Sequence, residues 1–184
     1  FTGNISQCWS VREGVNFITQ IECYDGGFAF VNTVVNKSFP QGTPLFVVIT
    51  DLMNALTKTP SGVSTGITIG AIGSFPGVLP KGVTYNGNPA QILYEVTGGA
   101  FSIQNGKAYA LKSNEYVVGS DAIVIDTGTG ILNTPLLERT VARFEMLFEP
   151  ELSINRLATI NSTTFPLVNG NYIITGVKQR GIIS

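Results

Sequence analysis

Few residues in this chain are equipped for chemistry, and their types narrow what that chemistry could be. The 184-residue sequence contains no histidine. That removes Ser-His-Asp and Cys-His nucleophile systems as usually built, and His-ligated zinc sites with them. The sharpest enzymatic signal is "AIVIDTGTG", an apolar run that delivers Asp126, Thr127 and Gly128. One such loop from each of two chains could bring two carboxylates together to share a proton, one serving as base and the other as acid. The competing reading is a strand that ends in a polar glycine turn, where Asp and Thr are ordinary residues.

That run resembles the catalytic motif of aspartic proteases. With a single copy in the chain, a retropepsin-like homodimer using Asp126 is the enzyme it implies. Thr129 stands where that family commonly has Ala or Ser. Other candidates are weaker. Asp51, Glu95 and Glu145 fall on different elements, so nothing pairs them as acid and base. Gly62, Gly66, Gly70, Gly73 and Gly77 match neither GxGxxG nor a Gly-Lys-Ser/Thr phosphate loop, and read as loop or strand glycines. Cys8 and Cys23 lack a CxxC companion, are too few for a disulfide framework, and read as two buried free thiols. With Val11 to Asn16 as a hairpin turn, residue 8 faces roughly residue 17, so the two cysteines are not expected to bond. Sequons at Asn4, Asn36 and Asn161 matter only in a secreted eukaryotic protein. The preferred reading assigns no catalytic residue, no metal ligand and no cofactor.

Composition points the same way. The chain is 43% hydrophobic but only 12% charged, with a net charge of −1, about half the usual charged share. No run approaches the roughly 20 apolar residues of a membrane span. The charge balance lacks the basic patch that nucleic acid or anionic lipid would require. A surface this poor in charge must be covered by uncharged polar residues or by partner proteins. Charge gathers only late, at Glu138, Arg139, Arg143, Glu145, Glu149 and Glu151, either as a solvated strand face or as a salt-bridge rim between subunits.

The elements that would carry these residues are mostly strands. Ile5–Ser10 and Val15–Tyr24 alternate around an Arg12-Glu13-Gly14 turn, with Val15, Phe17, Thr19, Ile21 and Cys23 on one face. Phe28 to Phe30 fit one helical turn, and Val31–Phe39 returns to strand. In "GTPLFVVITDLMNAL", Thr43 as N-cap, Pro44 at the first helical position and the spacing of Leu45, Val48, Ile49, Leu52 and Leu56 predict a helix. "TGITIGAIG" allows one strand. Asn88 caps a second helix, with Gln91 able to close a capping box, Ile92, Leu93 and Val96 facing inward and Gly98 ending it. An Asn105-Gly106 type I′ turn then sets a hairpin in which Ile103 faces Ala108 and Phe101 faces Ala110, leaving one face uniformly apolar. Strands follow at Tyr116–Val118, Ala122–Ile125, Thr140–Phe148, Arg156–Asn161 and Tyr172–Lys178, with a turn at Asn169-Gly170-Asn171. Phe28, Phe30, Phe39, Phe46, Phe75, Phe144 and Phe148 read as core. Soft boundaries fall near Gly42 and between Gly119 and Pro135.

The order "ITQIECYDGGFAFVNTVVNKSFPQGTPLFVVITDL", "PAQILYEVTGGAFSIQNGKAYAL" and "ERTVARFEMLFEPELSINRLATINSTTFPLVNGNYIITGVKQRG" resembles bacteriophage tail baseplate hub proteins. The likeness spans nearly the whole chain and lies in the order and spacing of elements. It implies a mainly β, α+β architecture in which tail-tube-like β-barrel domains flank a small α+β domain with two short helices and a hairpin. Residues 1–41 would complete a first barrel begun upstream, 42–121 would form the small domain, and 122–184 would open a second barrel that continues past the "RGIIS" ending. The resemblance further implies a structural, non-enzymatic role in the virion, at the tail baseplate or tail tip, after assembly in the bacterial host cytoplasm. Its partners would be copies of itself in a trimer, the tail tube or tube initiator, the central spike and the baseplate wedge, with no nucleic-acid sequence recognition and no membrane.

Overall fold

The structure, a computed structural model, describes residues 3–119 and 121–180. The chain gathers into two units, Phe1–Lys112 and Ser113–Ser184. It is mainly β, with three short α-helices and several sheets of two or three strands, and among the described residues no sheet closes into a barrel.

The first unit opens on a long hairpin, β1 (Asn4–Glu13) with β2 (Asn16–Tyr24). The turn is Gly14-Val15, one step later than the expected Arg12-Glu13-Gly14, because Gly14 supplies the left-handed φ of +64° that a two-residue turn needs. This later turn places Cys8 opposite Ile21 and Cys23 opposite Ile5, correcting the expected pairing of residue 8 with residue 17. After Asp25 and a left-handed Gly26 (φ +71°) comes α1 (Gly27–Asn32), which runs on through Asn32, so β3 (Val35–Phe39) starts later than the sequence suggested.

Helix α2 (Leu45–Leu56) forms where its apolar spacing predicts and buries Val48, Ile49, Leu52, Met53 and Leu56. Its start differs by one position. Pro44 is the N-cap residue in an extended conformation, and the Thr43 hydroxyl instead donates to the Pro40 carbonyl at 2.8 Å. Strand β4 (Thr68–Ile72) and β5 (Val83–Gly87) precede α3 (Pro89–Val96), which Asn88 caps as expected by accepting from the Ala90 and Gln91 amides. Left-handed Gly98 (φ +66°) follows the end of α3.

The hairpin of β6 (Phe101–Gln104) and β7 (Lys107–Ala110) has the expected register, Phe101 with Ala110 and Ile103 with Ala108, across Asn105 and Gly106, both at positive φ. β4 adds to β7 in parallel, and β3 pairs with β5 antiparallel. The buried face of α2 meets Leu93 and Ala90 of α3, Ala108 and Ala110 of β7, and Val35 and Phe39 of β3 in a single core. Each of the largest of these side chains contributes about 1.5–3 kcal/mol by leaving water.

The second unit contains β8 (Ile123–Asp126), β9 (Leu136–Glu138), β10 (Val141–Arg143), β11 (Leu157–Asn161) and β12 (Gly170–Ile173). Its central sheet runs β12-β11-β8, with β8 and β11 parallel. Ile125, Ala158, Ile160 and Val168 form the centre of its core. Three expectations shift here. Tyr116–Val118 is not a strand, although the Val117 amide bonds the Asn155 carbonyl at 2.9 Å. The "TVARFEMLF" alternation holds, with Ala142, Phe144 and Met146 packed inward, but regular pairing stops at Arg143 and Phe148 is 71% exposed. Asn169-Gly170-Asn171 is the entry to β12 after a 3-10 turn at Pro166–Val168 rather than a hairpin turn.

Candidate assembly surface

The hairpin β1–β2 is built by alternation, and alternation gives it two faces. Val11 and Ile18 are cross-strand partners on one face, followed along it by Trp9 opposite Gln20. Arg12 with Phe17, Ser10 with Thr19 and Cys8 with Ile21 share the other. Every residue from Asn4 to Glu22 is exposed. Phe17 is 72% exposed, Ile5 65%, Ile21 55% and Val15, at the turn, 89%. Neither core includes a residue of β1 or β2. The hairpin therefore presents apolar side chains on both faces and a strand edge on each side, with nothing in its own unit covering them. A lone two-stranded hairpin is marginal in water at best, and open edges with apolar faces invite pairing with another chain.

Its base, in contrast, is fastened. The Asp25 carboxylate accepts from the backbone amides of Asn105 and Gly106, the latter at 3.0 Å, so it clamps the turn between β6 and β7. The Asn4 side-chain oxygen accepts from the Phe28 amide at 3.1 Å. Gly26 packs so closely on Ile103 that a Cβ there would lie 2.7 Å from its Cδ1. Beside this base, between α1, α3 and β6, lies an open-sided cleft of about 420 Å³. Phe30, Ala90, Tyr94, Phe101 and Ile103 form its apolar walls, with Gln91 and Ser102 also lining it. Asn88 holds α1 and α3 together here, donating its side-chain amide to the Phe30 carbonyl while capping α3.

The residues singled out for chemistry are dispersed. Asp126 ends β8 in a self-contained turn: its carboxylate accepts from the Thr129 amide at 2.9 Å, while the Thr129 hydroxyl accepts from the Asp126 amide at 2.7 Å. A shallow cleft of about 240 Å³ adjoins this turn, lined by Thr127, Ile131, Asn133, Ser162 and Thr164. Asp51 pairs with Lys37 at 2.5 Å. Glu95 raises the pKa of Tyr85 above its ordinary 10.0, second to the effect of burial, and Tyr109 is raised by burial. The late charges form two small groups. Glu138 pairs with Arg143 at 3.5 Å and Glu151 with Arg156 at 3.3 Å, both partly in solvent. Glu145 takes a hydrogen bond from Asn133. Asn4, Asn36 and Asn161 are exposed.

The cysteines correct the sequence reading: Cys8 is exposed and Cys23 half-buried, because the hairpin that carries them is uncovered. For the same reason of missing cover, Phe28, Phe30 and Phe46 stand at 39%, 40% and 50% exposure rather than in the core, where Phe39 and Phe75 do lie. Sequence reasoning missed Asp25 and the cleft. Asp25 was legible only as part of a break in the strand pattern, since its partners lie 80 and 81 residues away. No group of three or more His, Cys, Asp or Glu side chains is placed to hold a metal among the described residues. No protein-family model matches the chain, and no curated protein matches it.

Proposed function

We propose that the chain is a structural subunit of a bacteriophage tail baseplate or tail-tip hub, which assembles as a ring, expected to be a trimer, and links the tail tube to the central spike. The observation that carries the assembly role is the β1–β2 hairpin, apolar on both faces and left without cover by its own unit. The hub assignment rests on the order of elements set out above. In this reading β1 and β2 complete a first tail-tube-like barrel with strands supplied from outside the described residues, and the strands of the second unit contribute to another. The helix and hairpin unit between them is a packing module, which accounts for a chain with no histidine and little charge. Sparse charge suits surfaces buried against neighbours, because desolvating a charge is costly and charged residues are depleted at interface centres.

Light scattering on the purified chain across a concentration series tests the proposal. A trimer, imaged as a ring with an axial opening, supports it; a chain that stays monomeric throughout overturns it. A dimer that cleaves peptides at acid pH, and stops doing so on Asp126→Asn substitution, would establish the aspartic protease alternative in its place.

A further inference from the structure

Resting on that assembly reading, we infer that the tip of the β1–β2 hairpin of one copy seats in the Phe30–Tyr94–Ile103 cleft of the next, joining subunits head to tail. Both halves of the contact are on the first unit. The projecting half is Val15 and Phe17, 89% and 72% exposed at the end of the hairpin. The receiving half is the cleft of about 420 Å³ between α1, α3 and β6, walled by two phenylalanines, a tyrosine, an alanine and an isoleucine. An apolar cavity of about 150 Å³ is enough to hold a benzene ring. The cleft thus has room for the Phe17 ring and an aliphatic neighbour.

Geometry makes the contact intermolecular. The cleft lies at the hairpin's base, where Asp25 is bonded to Asn105 and Gly106 and Gly26 is packed on Ile103. The nine residues of β2 carry the tip away from that base by roughly 30 Å at about 3.3 Å per residue. A hairpin fastened at its base cannot fold its tip back into a cleft beside that base, so the occupant is another copy. Unlike halves joined in this way generate a closed ring or an open filament, depending on the rotation.

The surface area is sufficient. The chain exposes 11808 Å², whereas two separate compact bodies with the lengths of its two units would expose roughly 10,300 Å² together. The excess of about 1,500 Å² is close to the total buried at a standard stable interface. In a head-to-tail ring each subunit gives up one tip half and one cleft half, which together make one such interface.

The test compares four samples by light scattering: wild type, Phe17→Asp, Gln91→Trp, and an equimolar mixture of the two variants. Gln91 is an exposed lining residue, so a tryptophan there fills the cleft without entering the core. Wild type should assemble and each variant alone should be monomeric. The mixture should stop at dimers, because only the intact tip of one variant and the intact cleft of the other can meet. Variants that assemble like wild type, or a mixture that builds larger species, would overturn the head-to-tail contact and leave the assembly reading standing. A wild type that never assembles would overturn both. Phe17→Ser provides the milder check should Phe17→Asp fail to fold, and must give the same result.

Discussion

At the scale of single residues, the groups that matter most are used for fastening. Asp25 is the clearest case, a carboxylate spent on two backbone amides of the Asn105-Gly106 turn. Hydrogen bonds to a charged acceptor contribute about 1.5–3 kcal/mol when one partner is removed, and this one lies partly in solvent. Asp25→Ala should therefore lower the stability of the first unit by about 1–2 kcal/mol, read as a shift in the urea midpoint, and Asp25→Asn should recover part of the loss. An unchanged midpoint would mean that the hairpin base is held mainly by Gly26 on Ile103. Asp126 is likewise engaged with its own backbone neighbourhood at Thr129, and it reads locally as a turn residue. The local sequence made that turn legible. The Asp25 contact was not, since no local rule links a residue to a turn 80 positions away.

At the scale of elements, α2 is the piece around which the first unit packs. Its five inward residues are fully buried, and removing one leaves a cavity that close-packed neighbours cannot fill. Leu52→Ala should cost about 2–5 kcal/mol, measured by chemical denaturation, while Phe46→Ala on the half-exposed side of the same helix should stay within about 1 kcal/mol. Equal effects at the two positions would contradict the burial pattern. The spacing that predicted α2 was legible because a helix repeats locally. So was the β6–β7 register, which the Asn-Gly turn sets. The strand predicted at Thr140–Phe148 shows the limit. Its alternation is real, but pairing past Arg143 needs a neighbouring strand that the fold does not place there.

At the scale of the whole molecule, the balance of cover decides behaviour. A contact made by Val15 and Phe17 in an apolar cleft gains from the exclusion of water and loses little to screening, whereas the Glu138–Arg143 pair is exposed and salt-sensitive. Raising ionic strength, with sulfate especially, should therefore maintain or strengthen self-association measured by light scattering. Dissociation with added salt would shift the interface to the charged rim of the second unit.

The sequence by itself determined the local vocabulary: two capped or periodic helices, the β6–β7 register, the two-faced alternation of β1 and β2, and a composition with little means for acid-base or metal chemistry. Those follow from turn geometry, helical and strand periods and side-chain functional groups, all of which act over a few residues. Tertiary structure alone decided which faces are covered. The same alternation buries Ala108 and Ala110 in β7 yet leaves Phe17 and Ile21 in solvent. Burial depends on which distant element packs against a face, and the parallel pairings of β4 with β7 and β8 with β11 are likewise set by that packing.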